Sequence, residues 1–315
     1  MLSRYRVAGA SLAARWQQLN GCSRFLMVAT GLITLLALLS RLSGPVDVHD
    51  VQSQITNNLP WHGRENATLA GGIPIRLMFI GDSVTLGDPE QAGYRKQIRD
   101  WIVGLGNPNR FGHLKDNDVE AFTARRVKDL TAGLPSIVPQ TRPNLVLVHA
   151  GASDCFHDPA QGSAHALDHT QALAEYLFEA GDTAHDGGDN DNTKVNTTAT
   201  AAAMVTVILS TLVTSSDPEF ERCIQSFNAQ IRQVVTDLAR EGRHIALAEM
   251  HRDQGLPGRP GLEVIQTDGM LPTSDGWRMM GEVLKQTIRE VEHKGWLKAP
   301  VDNGIPADGD TEKRG

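Results

Sequence analysis

Four short and nearly unbroken apolar runs punctuate the body of the chain: Ile75–Gly81 (IRLMFIG), Asn144–Ala150 (NLVLVHA), Met204–Thr211 (MVTVILST) and Ile245–Glu249 (IALAE). Continuous apolarity, rather than strict alternation, predicts strands covered on both sheet faces. Segments of helical spacing lie between and after them. Tyr94–Leu105 places Trp101, Ile102 and Leu105 on one face, and Ala166–Ala180 is helix-like. Phe220–Arg240 repeats apolar residues at Ile224, Phe227, Ile231, Val234, Val235 and Leu238. Ser274–His293 is the last helix, with Ser274 as its N-cap. Strands alternating with helices predict a parallel sheet with helices on both faces. Functional side chains in such a sheet gather at the carboxyl ends of strands, here after Gly81, Ala150 and Glu249.

The flanks read differently. Phe25–Leu39 (FLMVATGLITLLALL) carries no charge and follows a stretch with basic residues only. Its helix would span about 22 Å, short of a ~30 Å hydrocarbon core. Extension to Leu42, with Arg24 and Arg41 snorkelling, makes a crossing feasible. The expected division is a cytosolic basic N-terminus (1–24), a transmembrane signal anchor (25–42), a linker rich in Gly, Pro and Asn (43–72), a folded domain (73–297) and a disordered tail (298–315). The polar stretch 181–200 is an insertion within that domain. The basic residues before the apolar run place the N-terminus in the cytosol and the main domain on the lumenal or extracellular side. The competing reading is a cleaved signal peptide and a secreted domain. Two glycosylation sequons, at Asn66 and Asn196, fit either topology.

Charge narrows the partners. The chain carries −7 overall, and its first 41 residues hold five arginines and no acid, which leaves −12 on the remainder. An acidic body lacks the basic face that nucleic acid requires. Three cysteines make no zinc-type spacing, and no metal or cofactor is implied. Outside the N-terminal segment, Cys155 and Cys223 form the one available disulfide pair, with two unpaired thiols as the alternative.

Gly81-Asp82-Ser83-Val84 directly follows the first predicted strand. A serine on such a turn exposes its hydroxyl beside backbone N–H groups able to face an oxyanion. Ile73 to Asn107 around it resembles the start of SGNH (GDSL) hydrolases of fungi and bacteria, the acetylxylan-esterase-like branch in particular. Three further stretches follow in that family's order: PNLVLVHAGASD from Pro143 to Asp154, VILSTLV from Val207 to Val213, and DGMLPTSDGWRMM from Asp268 to Met280. The resemblance runs to about Leu297. It implies an α/β, flavodoxin-like three-layer sandwich with a five-stranded parallel sheet.

The same resemblance assigns roles by position. Ser83 matches the nucleophile and Asp268 the carboxylate that orients the general base. The histidine position itself holds Leu271. The oxyanion hole would comprise Ser83, Ala124 where the family has glycine, and Ser153 where it has asparagine. Leucine cannot take a proton, and loss of a triad histidine costs about 10⁶ in turnover. Losing a side-chain oxyanion donor costs roughly 3–4 kcal/mol. His251, His157 and His149 also fall at the carboxyl edge of the predicted sheet, so His251 or His157 could stand in as base. Three readings remain: an esterase-like domain with impaired catalysis that still holds an acetylated glycan or other ester ligand, an active acetyl-glycan hydrolase with a relocated base, and a membrane-tethered interaction protein.

Overall fold

The computed structural model describes residues 67–87, 93–107, 119–121, 124–183 and 205–301. The proposed membrane segment 25–42 and both sequons, Asn66 and Asn196, lie outside them. Among the described residues, no helix is long and apolar enough to cross a membrane.

In chain order the elements are β1 (Leu77–Gly81), α1 (Ser83–Leu86), α2 (Gly93–Gly104), β2 (Val119–Ala121), α3 (Val127–Gly133), α4 (Val138–Thr141), β3 (Leu145–His149), α5 (Ala152–His157), α6 (Ala166–Thr183), β4 (Thr206–Ser210), α7 (Pro218–Arg240), β5 (Ile245–Ala248) and α8 (Ser274–His293). All strand pairs are parallel, in the order β2-β1-β3-β4-β5. Four strands have four or five residues, and the edge strand β2 has three. Every residue of β1, β3 and β4 is buried, as their unbroken apolarity requires. Helix α2 packs with α8, while α6 packs with α3 and α7, which covers both faces of the sheet.

The three central strands end level with one another: Gly81 pairs with His149, and Val148 with Leu209. That common edge carries the turn at Ser83, the start of α5 and the β4–α7 connection. Asn228, fully buried on α7, fixes the last of these. Its Oδ1 accepts from Leu212 N at 2.7 Å and its Nδ2 donates to Leu212 O at 3.0 Å.

Several expected boundaries move. Leu69 is fully buried, its N–H donates to Asn107 Oδ1, and Ala70 N donates to Glu292 Oε1. The end of the predicted linker 43–72 therefore belongs to the domain. The predicted insertion 181–200 loses its first three residues to α6, which ends at Thr183. The predicted tail 298–315 is docked at its start, because Asn144 Nδ2 donates to Lys298 O and Arg76 Nη1 to Val301 O. These donors are buried near the amino ends of the strands, and the tail's carbonyls satisfy them. Thr273, not Ser274, caps α8: its hydroxyl accepts from Gly276 N. The hydroxyl one position earlier is the one in reach of the free N–H groups of the first turn.

Candidate functional site

Strand β1 delivers Asp82 and Ser83 to the carboxyl edge of the sheet. Gly81 lies so close to its neighbours that an added Cβ would fall 2.0 Å from Thr85 Oγ1 and 2.2 Å from His149 O. This tight turn starts α1 with Ser83 half-buried at its first position. Ser83 Oγ makes no hydrogen bond among the described residues.

Asp82 organises the surroundings. It is fully buried; Oδ1 accepts from Val84 N, and Oδ2 accepts from Gly151 N and Ser153 N, each at 3.2 Å. One carboxylate therefore ties the Ser83 turn to the start of α5, which bears Ser153. Burial pushes its pKa up to about 6, against the pull of the three backbone donors. An aspartate directly ahead of a turn serine has the makings of an N-cap, the signal from which sequence could have found this role.

The other wall is assembled by α5. His157 Nε2 lies 3.0 Å from Ala124 O. Ala124 has φ +62°, the left-handed conformation normally left to glycine. The backbone therefore keeps there the shape a glycine would take, at a cost of roughly 1–2 kcal/mol. Gly151, at φ +123°, leaves room for Phe227, whose ring carbons an added Cβ would approach to 2.5 Å. Asp154, beside Ser153, accepts from Val127 N and fixes the start of α3. Cys155 and Cys223 are joined in a disulfide that ties α5 to α7.

The block after β5 closes the same edge. Trp277 Nε1 donates to Val84 O at 3.2 Å, which docks the start of α8 on the Ser83 turn. In the preceding loop, Asp268 is exposed, and its Oδ1 accepts from Met270 N at 2.9 Å and Leu271 N at 3.0 Å. Leu271 packs partly buried against the core. Ser215 Oγ donates to Gly269 O at 2.6 Å, joining this loop to the β4–α7 connection.

The histidines weighed as bases make their hydrogen bonds elsewhere. His157 binds Ala124 O. His251 is buried between Glu221 and Asp253. His149 is 2% exposed, with Nδ1 at 2.7 Å from Ser210 Oγ. Ser210 Oγ donates onward to Val148 O, so it accepts from His149 Nδ1–H, and Nε2 carries the lone pair, without a partner among the described residues. Among the described residues, none of the three imidazoles forms a hydrogen bond with Ser83 Oγ. Two surface cavities also lie apart from it. One is bounded by Asn144, Leu177 and Val301, and the other by Ser163, Glu219 and Cys223.

The buried pair His149 and Asp82 carries a testable pH signature. Burial pushes His149 down to about 4, so its contribution is present above the ordinary histidine value and is lost as pH falls from about 6.5 to 4. Asp82, raised to about 6, works in the opposite sense and destabilises as pH rises from about 4 to 6. The two nearly cancel. In His149→Gln the cancellation disappears, so the wild type should gain about 3 kcal/mol over the variant between pH 4 and 6.5. Urea midpoints at the two pH values measure this, and a constant difference would refute the burial argument.

No protein-family model matches the sequence, and no curated protein does. Solved structures do. A mutant acetyl esterase with acetate ion aligns at a TM-score of 0.50 and 16% identity, covering 70% of this chain and 98% of that one. A family 3 carbohydrate esterase from Clostridium thermocellum aligns at 0.50 and 15% identity, with the same coverage of 70% and 98%. The chain therefore carries the α/β fold of SGNH-type esterases. Identities this low speak for the fold alone.

Proposed function

We propose that this chain is a membrane-anchored SGNH-type domain that binds an ester-bearing ligand, an acetylated glycan foremost, and has lost efficient hydrolysis. The observation that carries the reading is Leu271 at the histidine position, four residues before the Asp275-Gly276 start of α8. A serine hydroxyl without a base attacks poorly. The Asp268 carboxylate, three residues ahead of position 271, is bound to backbone N–H groups and, among the described residues, orients no imidazole. Ser153 is shorter than the asparagine expected there. What remains around Ser83 is a turn tied through Asp82 to the start of α5, with a left-handed Ala124 opposite it, a backbone frame on which a carbonyl-binding site would be built. The basic N-terminus and the apolar run Phe25–Leu39 support the anchor. A disulfide in the body suits an oxidising compartment outside the cytosol.

Turnover of p-nitrophenyl acetate tests the catalytic half. Wild type and Ser83→Ala should agree within about tenfold, since the base is already gone. Labelling of Ser83 by a fluorophosphonate, or a clear rate drop in Ser83→Ala, would establish a working enzyme instead. Leu271→His alone should stay at least about a hundredfold below Leu271→His/Ser153→Asn, because one oxyanion donor is worth that much. An acetylated xylo-oligosaccharide should raise the thermal midpoint more than its deacetylated counterpart. Equal midpoints would remove the ligand from the proposal.

A further inference from the structure

His251 sits in an ion cluster that the proposed function leaves unused. Its side chain is 1% exposed, with Nε2 3.1 Å from Glu221 Oε1 on α7 and Nδ1 2.9 Å from Asp253 Oδ1 on the turn Arg252–Gln254. Asp253 N also points at Nδ1, at 3.2 Å. These last two contacts compete. An unprotonated Nδ1 can take the N–H but turns its lone pair towards the carboxylate oxygen, whereas a protonated ring presents an N–H on the side of each acid. Nε2 faces Glu221 off the line of a good hydrogen bond, so the contact is chiefly an attraction of charges.

The other charges facing the cluster balance one another. Arg232, also on α7, pairs with Glu249 at the end of β5 at 2.7 Å and with Asp253 at 3.1 Å. Arg232 reaches no oxygen of Glu221, whose cationic partner is His251. Burial pushes His251 down, but the two carboxylates outweigh it and its pKa is raised. Glu221 is drawn down to about 2: burial opposes, while His251, Ser215 N and Gln225 together prevail.

Glu221 also reaches towards the β4–α7 connection and, through it, the candidate site. Its Oε2 accepts from Ser215 N at 2.7 Å and from Thr214 Oγ1 at 3.1 Å. Ser215 Oγ in turn donates to Gly269 O, in the loop that carries Asp268 and Leu271. An unbroken line of contacts thus joins a buried imidazole to the loop beside the candidate site.

We propose that the His251–Glu221 ion pair is a proton-operated clasp that positions loop 266–272 beside the candidate site. With the ring charged, Glu221 is held in place and with it Ser215 and Gly269. Loss of the proton leaves Glu221 beside a neutral ring and loosens the line. His251 is thus a positioning residue, and the clasp does not depend on whether Ser83 hydrolyses anything. Docking of the loop is complete below the ordinary histidine value and is lost as pH rises through the raised value.

Hydrogen exchange of the full-length chain, corrected for the intrinsic pH dependence of exchange, tests this. Protection of the 266–272 peptide should fall by about tenfold or more from pH 6 to 9, with β1 unchanged as reference. In His251→Gln it should already be low at pH 6 and show no step. A merely structural histidine would lower protection equally at both pH values and leave the step in place. Equal protection at pH 6 and 9 in the wild type, or a step that survives in His251→Gln, overturns the proposal. Should that variant not fold, Glu221→Gln replaces it, and nitrogen NMR of labelled histidine in the wild type decides: both ring nitrogens protonated at pH 6 upholds the clasp, and a single neutral tautomer there refutes it.

Discussion

Gly81→Ala is expected to prevent the domain from folding. The new methyl would land 2.0 Å from Thr85 Oγ1 and 2.2 Å from His149 O. Thr85 cannot simply swing aside, because Oγ1 lies 2.8 Å from both His149 O and Tyr94 OH in a fully buried site. The second clash is with the backbone of β3, paired to β1 in register. Relief would require parting two central strands. Insertions into tight cores usually cost about 1–3 kcal/mol, and one that displaces a sheet backbone belongs in the rare class above 4. A domain with about 5–15 kcal/mol in hand does not absorb that safely. Gly81→Ala/Thr85→Gly clears the side chain and leaves the carbonyl, so it should fail as well. Soluble yield and a urea midpoint answer the question. A cooperative midpoint close to wild type in either variant would mean that the turn is laxer than described.

Removing the disulfide should have the second largest effect. Cys155 and Cys223 are 68 residues apart and both buried. Closing a loop of that length restricts the unfolded chain by about 4 kcal/mol. Cys155→Ala/Cys223→Ala should melt roughly 10–15 °C lower, and reductant should lower the wild type by a similar amount while leaving the double variant unmoved. A reductant-insensitive wild type would show that the bridge does not form in solution.

Much of this architecture can be read directly from the residue pattern. The four long strands stand out because burial on both faces demands unbroken apolar runs, and α7 and α8 because one face of each is apolar at helical spacing. Strand β2 is not legible: three residues, Val-Glu-Ala, carry no period. Helices α3 and α4 escape for a similar reason, being seven and four residues long and separated by a turn with Pro135, while Pro139 sits at the start of α4. The turn serine is legible because it follows directly on a strand. Apart from the Cys155–Cys223 bridge, the links between distant segments are not. Asp82 meets Gly151 and Ser153 some seventy positions away, and His251 meets Glu221 across β5, contacts that only the fold creates. The left-handed conformation of Ala124 shows in the sequence only through the resemblance, which has glycine at that position.

The shared Asp82 carboxylate has one more consequence. Because it grips the serine turn and the first turn of α5 together, floor and wall cannot shift independently. The entropy of ordering these two segments was surrendered when the chain folded, so a molecule bound beside Ser83 would not carry that cost again. A preset edge of this kind would favour stiff ligands over long, floppy ones.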